Sequence, residues 1–209
     1  MTRIAVIGAG TIGASWAAHF LAQGLDVQAW DPAPDAEART RKFVDDVWPV
    51  LQRLGTASDA DQKRLTWHPD PASAIEGVQF VQESAPERQD VKQSLYESFD
   101  DALPSDAVMA SSSSSLLISE LQAGRVGRER YVLGHPFNPP HLVPLVEVLG
   151  GRDTDASVVD WTLAFYQVWG KQPIRLNKEV PGHLVTIPTL QPWRDCAAQQ
   201  RDARAPRHC

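Results

Sequence analysis

Residues 8–13 read Gly8-Ala9-Gly10-Thr11-Ile12-Gly13, a G-x-G-x-x-G turn that follows a β-branched apolar run at residues 3–7 and opens a helical pattern at residues 11–23. The context constrains the fold more than the letters do, because strand, turn and helix must meet in a small space. Gly8 permits the tight turn, Gly10 removes the Cβ that would keep a ligand off the backbone, and Gly13 lets the helix pack closely on the strand. At Thr11 and Ile12 the helix start presents free N–H groups and the positive end of its dipole. Gly24 then closes the helix, and residues 25–30 alternate as a second strand ending at Asp31. The unit is strand, helix, strand.

Such a turn is built for a dinucleotide, whose pyrophosphate lies against the helix N-terminus. Asp31 follows Gly13 by eighteen residues, where a carboxylate accepts both hydroxyls of the adenosine ribose. It would repel a 2′-phosphate, and the nearest downstream arginine is Arg39, so NAD is expected rather than NADP. FAD-binding chains carry the same fingerprint, and a glycine turn that merely joins strand to helix carries the same letters. On the motif alone those two readings stay open.

The alternation continues. A long amphipathic helix is expected over residues 33–55, with Val44, Val47, Leu51 and Leu54 on one face, and residues 56–63 read as the start of another helix. Short strands are expected at 65–67 and 80–82, a helix at 90–102, and a strand at 107–110 feeding the run Ser111-Ser112-Ser113-Ser114-Ser115. Two apolar strands, 131–134 and 145–149, flank a Pro-rich loop, and a helix at 157–169 and a strand at 173–176 follow. The fold class is α/β, a Rossmann-type doubly wound and mostly parallel sheet with antiparallel strands toward its C-terminal side. Residues 1–184 are expected to form one NAD-binding dehydrogenase domain, and residues 185–209, with Pro188, Pro192 and Pro206, an irregular tail without a sustained period.

Composition removes several functional classes. The net charge is −6, with 20 basic residues scattered among 26 acidic ones, so the basic stripe that nucleic acid requires is missing. No apolar run approaches the ~20 residues that span a bilayer. The N-terminus enters a strand directly rather than a signal peptide, and Cys196 and Cys209 both fall in the tail, so a reducing cytoplasm is expected. His, Cys, Asp and Glu show no metal-ligand spacing, and no metal is expected.

A second constellation lies in the Pro-rich loop, His135-Pro136-Phe137-Asn138-Pro139-Pro140-His141, with Glu147 twelve positions after His135. If the flanking strands pair about His141, positions 135 and 147 face each other. A carboxylate there fixes the imidazole tautomer, as suits a base that takes the proton of an alcohol. A hydroxyl of the serine run, at the carboxyl end of a strand, is then placed to hold the substrate oxygen. Plainer readings exist: His135 capping a strand, Glu147 as a solvated edge charge, the serines bonding their own backbone. His19, His68, His141 and His208 read as packing or surface residues.

These residues together resemble the L-3-hydroxyacyl-CoA dehydrogenase superfamily, and within it the carnitine dehydrogenase branch. The motifs that carry the resemblance are the glycine turn, Trp30-Asp31-Pro32, Gln82-Glu83-Ser84-Ala85-Pro86-Glu87-Arg88, the run 111–116, His135-Pro136-Phe137-Asn138-Pro139 and Pro144-Leu145-Val146-Glu147-Val148, spread over residues 4–184. The resemblance implies NAD as cofactor, Ser114 on the substrate oxygen, His135 as base, Glu147 as its orienter and Asn138 near nicotinamide and substrate. It implies Ser84, Glu87 and Lys92 on the cofactor side. Pro136 after the histidine, where the CoA-ester enzymes carry an aromatic residue, makes a small free hydroxy acid a candidate substrate beside an acyl-CoA. The resemblance also implies a helical C-terminal domain after Leu184, yet Thr186 stands where the family has asparagine and the pattern dissolves. From sequence, a truncated chain is expected, either an active dehydrogenase or an NAD-binding module with little catalysis. Apolar surface left by a missing domain would favour homo-oligomers.

Overall fold

A computed structural model describes residues 2–179. The expected tail at 185–209, with Thr186, Cys196 and Cys209, lies outside the described residues. Eight strands form one sheet in the order β3-β2-β1-β4-β5-β6-β7-β8. The strands are β1 (Arg3–Ile7), β2 (Asp26–Trp30), β3 (Leu65–Trp67), β4 (Phe80–Glu83), β5 (Val108–Ser111), β6 (Tyr131–Pro136), β7 (Leu145–Gly150) and β8 (Gln172–Arg175). All neighbours run parallel except β6 and β7. The order reverses at β1, between β2 on one side and β4 on the other, and a doubly wound sheet opens its ligand crevice at such a point.

Strand periodicity divides the core between the two faces of the sheet. Ile4 and Val6 point to a cluster with Trp16, Phe20, Val27, Phe80, Phe165 and Tyr166, while Ala5 and Ile7 point to another with Ile75, Val81, Tyr96, Phe99, Met109 and Leu133. A strand buried on both faces needs a continuous apolar run, which is what β1 has. Helix α1 (Thr11–Ala22) is buried from Gly13 to Ala22, so it lacks the polar face of a surface helix. Helix α2 (Ala36–Leu54) shows the opposite pattern, burying only Ala36, Thr40, Val44, Trp48 and Leu51.

The remaining helices are α3 (Pro71–Ile75), α4 (Gln89–Glu97), α5 (Ile118–Leu121) and α6 (Ala156–Val168). Two expectations are corrected. Residues 56–63 do not start an α-helix: Asp61 accepts from the Lys63 N–H at 2.8 Å, and only a 3₁₀ turn, Gln62–Arg64, follows. The helix expected over 90–102 ends as α4 at Glu97, where Ser98 Oγ bonds back to the Leu95 carbonyl at 2.6 Å. Helix α3 went unread, although Asp70-Pro71 is a cap followed by a first-turn proline, and Asp70 accepts from Ser73 N at 2.8 Å.

Candidate active site

The glycine turn is shaped by what surrounds it. Gly8 has φ +85°, and a Cβ there would lie 2.7 Å from Ala85 N, so both conformation and space require glycine. At Gly13 a Cβ would collide with the Gly8 carbonyl oxygen. Gly10 differs: a Cβ there would meet no atom within 4 Å. Yet Gly10 caps α1, with no side chain on the cap and no acidic residue in the first turn. The leading N–H groups of α1 therefore face open space with a positive dipole end. That cradle fits a dinucleotide pyrophosphate.

Asp31 ends β2 beside this turn. Its Oδ2 accepts from Ala9 N at 2.8 Å and its Oδ1 from Ala33 N at 2.9 Å, so the carboxylate fastens the turn it serves. A carboxylate has about four acceptor positions, which leaves capacity for a pair of ribose hydroxyls. Asp31 and Gly8 line a cavity of 390 Å³ with Trp30, Pro71, Leu95 and Ser98.

Across Ala85, which borders both spaces, lies a cavity of 290 Å³ lined by Ile12, Ser84, Ala85, Glu87, Ser112, Ser114, His135, Pro136 and Asn138. Six of the residues singled out from sequence (Ile12, Ser84, Glu87, Ser114, His135 and Asn138) share this one space. The β6–β7 register sets His135 opposite Glu147, as the spacing about His141 predicts, and His135 Nδ1 lies 2.9 Å from Glu147 Oε2. Glu147 is fully buried. A carboxylate at Nδ1 can only accept, an arrangement that suits the tautomer with its proton on Nδ1 and Nε2 turned to the substrate side.

The serine loop after β5 is held by Glu87. One carboxylate oxygen, Oε1, accepts from Ser113 Oγ at 2.6 Å, Ser114 N at 2.9 Å, Ser115 N at 2.7 Å and Ser115 Oγ at 2.9 Å. Burial pushes the Glu87 carboxyl up, but hydrogen bonds from Ser113 and Ser115 outweigh it and hold the group below the usual carboxylate range. Lys92 is not brought to either cavity. Its ammonium is buried against Glu83 Oε1 at 2.5 Å and the Ala85 carbonyl at 3.1 Å, and Glu83 accepts further from Tyr96 and Ser111 at 2.6 and 2.7 Å. The structure thus gives Lys92 the job of fixing the β4 loop from beneath. A second buried lysine, Lys171, donates to the carbonyls of Pro140 and Val143 in the histidine loop. Burial lowers its pKa to about 7.

Residues 3–180 match the family described as 3-hydroxyacyl-CoA dehydrogenase, NAD binding domain. The chain belongs to that family. It is 48% identical to L-carnitine dehydrogenase of Streptomyces coelicolor over 193 residues, covering 92% of this chain and 61% of that protein. It is 47% identical to L-carnitine dehydrogenase of Burkholderia mallei over 191 residues, covering 91% and 60%. The chain therefore spans about three fifths of these relatives. Among solved structures, 3-hydroxybutyryl-CoA dehydrogenase from Escherichia coli superimposes with a TM-score of 0.84 at 30% identity, covering 95% of this chain and 43% of that one. An NAD⁺-dependent dismutase, the 5-dehydrogenase of 5-formyl-3-hydroxy-2-methylpyridine 4-carboxylic acid, gives 0.86 at 30% identity, covering 98% and 67%.

Sequence reasoning about this NAD-binding domain quoted Ala85 and Ser112 only as members of motifs and gave neither a role of its own; Ala85 lines both cavities and Ser112 the smaller one. Ser112 sat inside a run of five like residues, and nothing local distinguished it. Among the described residues no group of three or more His, Cys, Asp and Glu is placed to hold a metal, and no helix is long and apolar enough to cross a membrane.

Proposed function

We propose that this chain is the cofactor-holding and base-carrying part of an NAD-dependent dehydrogenase that oxidises the 3-hydroxyl of a small L-3-hydroxy acid of the carnitine kind. One observation carries the reading: the Glu147-paired His135 lines the same 290 Å³ cavity as Ile12, the second residue of the dinucleotide-binding helix. Bound NAD supplies the hydride acceptor. The chain's own residues do the rest. His135 Nε2 takes the hydroxyl proton, and Glu147 holds the ring and stabilises the imidazolium that forms. The Ser114 hydroxyl, on a loop fastened by Glu87, hydrogen-bonds the substrate oxygen, and Asn138 bounds the site beside it. Glycines 8, 10 and 13, with Thr11 and Ile12, hold the pyrophosphate, Asp31 the adenosine ribose, and Ser84 and Glu87 the nicotinamide side; Lys92 supports the loop that carries them.

The relatives named L-carnitine dehydrogenase and the size of the cavity favour a compact free acid. A 3-hydroxyacyl-CoA is the alternative, favoured by the likeness to 3-hydroxybutyryl-CoA dehydrogenase, and its nucleotide arm would lie outside this space. Reduced-cofactor absorbance with L-carnitine and with 3-hydroxybutyryl-CoA tests the reading. The expected result is NADH production from L-carnitine ahead of the thioester. No NADH from either, in a chain that binds NADH, would contradict it.

A further inference from the structure

A hydrogen-bond chain runs from the core into the smaller cavity, and its direction is fixed by chemistry. Gln82, on β4, is fully buried, and its Nε2 donates to the Gly134 carbonyl at 3.2 Å and to Ser112 Oγ at 2.8 Å. A carbonyl oxygen cannot donate, so the amide's NH₂ end must point this way. Its Oε1 then accepts from Tyr166 OH at 2.6 Å. Tyr166 is fully buried, burial holds its phenol well above the ordinary range, and it keeps the proton it donates. Ser112 Oγ, already an acceptor from Gln82, lies 2.9 Å from Ser84 Oγ, and both serines line the cavity. Among the described residues neither hydroxyl makes a further hydrogen bond.

Counting protons settles what the pair offers. Two serine hydroxyls carry two hydrogens, and one of them makes the Ser84–Ser112 bond. If Ser112 donates to Ser84, the Ser84 hydrogen is left for the cavity. If Ser84 donates to Ser112, then Ser112 has accepted twice and its own hydrogen is left. Either way one hydrogen emerges. From this geometry we infer that Ser84 and Ser112 form a single-donor subsite that recognises an acceptor oxygen of a ligand in the His135 cavity, with Gln82 and Tyr166 as positioning residues behind it. The inference rests on the proposed dehydrogenase reading and deepens it. An acceptor oxygen is available on either of two ligands: the amide or ribose of the nicotinamide half, or the keto or carboxylate group of a 3-keto acid.

The test is the double variant Ser84→Ala with Ser112→Ala in the full chain, with binding as the readout, so that turnover is not needed. NADH is titrated first, then acetoacetate into the NAD⁺ complex, where no hydride is present. The subsite predicts a loss of about tenfold in one affinity, the size of one hydrogen bond. Loss for NADH identifies the cofactor oxygen, and loss for acetoacetate with NADH binding intact identifies the substrate oxygen. If both affinities stay within twofold of the unsubstituted chain, the subsite is overturned and with it the proposed contact of Ser84 to the nicotinamide side, while the roles proposed for His135 and the glycine turn stand. If the unsubstituted chain binds no NADH, the dehydrogenase reading fails and this inference with it. A melting temperature within about 2 °C of the parent shows that the variant is folded, and Ser84→Thr with Ser112→Ala, which restores one hydroxyl, is expected to recover most of the lost affinity.

Discussion

The glycine turn and the histidine hairpin meet at one crevice and are built in opposite ways. At the turn, function belongs to backbone: Gly10 offers open space, the first N–H groups of α1 point into it, and Asp31, which serves the turn, is also tied to it through Ala9 N and Ala33 N. At the hairpin and the β4 and β5 loops beside it, the candidate site is made of side chains assembled from distant segments, His135 with Glu147 across a strand pair and Ser114 beside Glu87 across neighbouring loops. Gly8 and Gly13 are therefore required by the fold, Gly10 only by the ligand proposed to lie against it, whereas the hairpin residues are separable from the fold. Substitutions should divide along that line.

The largest expected effect is at the hairpin. His135→Ala should lower turnover about 10³-fold, the usual worth of a positioned base, with NADH affinity changed less than twofold; steady-state kinetics and calorimetry measure the two. Equal loss of both would erase the distinction between the regions. At the turn, Gly13→Ala should destabilise the fold by about 3 kcal/mol in chemical denaturation, because its Cβ meets the Gly8 carbonyl. Asp31→Asn comes next. It keeps one acceptor oxygen for the turn but loses the charge, so NADH affinity should fall about tenfold and the preference over NADPH should narrow. An unchanged preference would remove Asp31 from ribose recognition.

A separate, pH-dependent effect concerns the far end of α1. His19 is buried, its Nε2 lies 2.8 Å from the Trp169 carbonyl, and burial with the Lys171 charge lowers its pKa from 6.5 to about 3. Between those values the unfolded chain binds a proton that the folded chain refuses. The stability contributed by neutral His19 is thus full above about pH 6.5 and is lost as pH falls toward 3. His19→Gln should flatten that limb of the stability profile; a profile unchanged between pH 6 and 4 would assign the acid sensitivity elsewhere.

The same contrast explains what the amino-acid sequence made legible. Backbone chemistry is local, so six residues and one aspartate announced the turn. Glu147 was legible too, because an antiparallel pair maps equal spacing onto direct opposition. The Glu87 clasp on Ser113, Ser114 and Ser115 was not, since it exists only once β4 and β5 are neighbours, and no spacing in the chain encodes that adjacency. Lys92 and Lys171 were invisible as interior residues for a related reason: lysine is ordinarily exposed, and its burial here depends on Glu83 in one case and on two loop carbonyls in the other. The 56–63 segment misled because its polar residues have no apolar period to test a helix against, and the Asp61 side chain decides the local structure.

Gly10→Ala tests the central claim most directly, because at this position the fold itself tolerates a methyl group and only a ligand would not. Thermal unfolding and NADH calorimetry should be run on the same preparation. The account predicts a melting temperature unchanged within about 2 °C and an NADH affinity reduced at least a hundredfold. An alanine variant that binds NADH as tightly as its parent would show that the dinucleotide does not lie against the opening of α1.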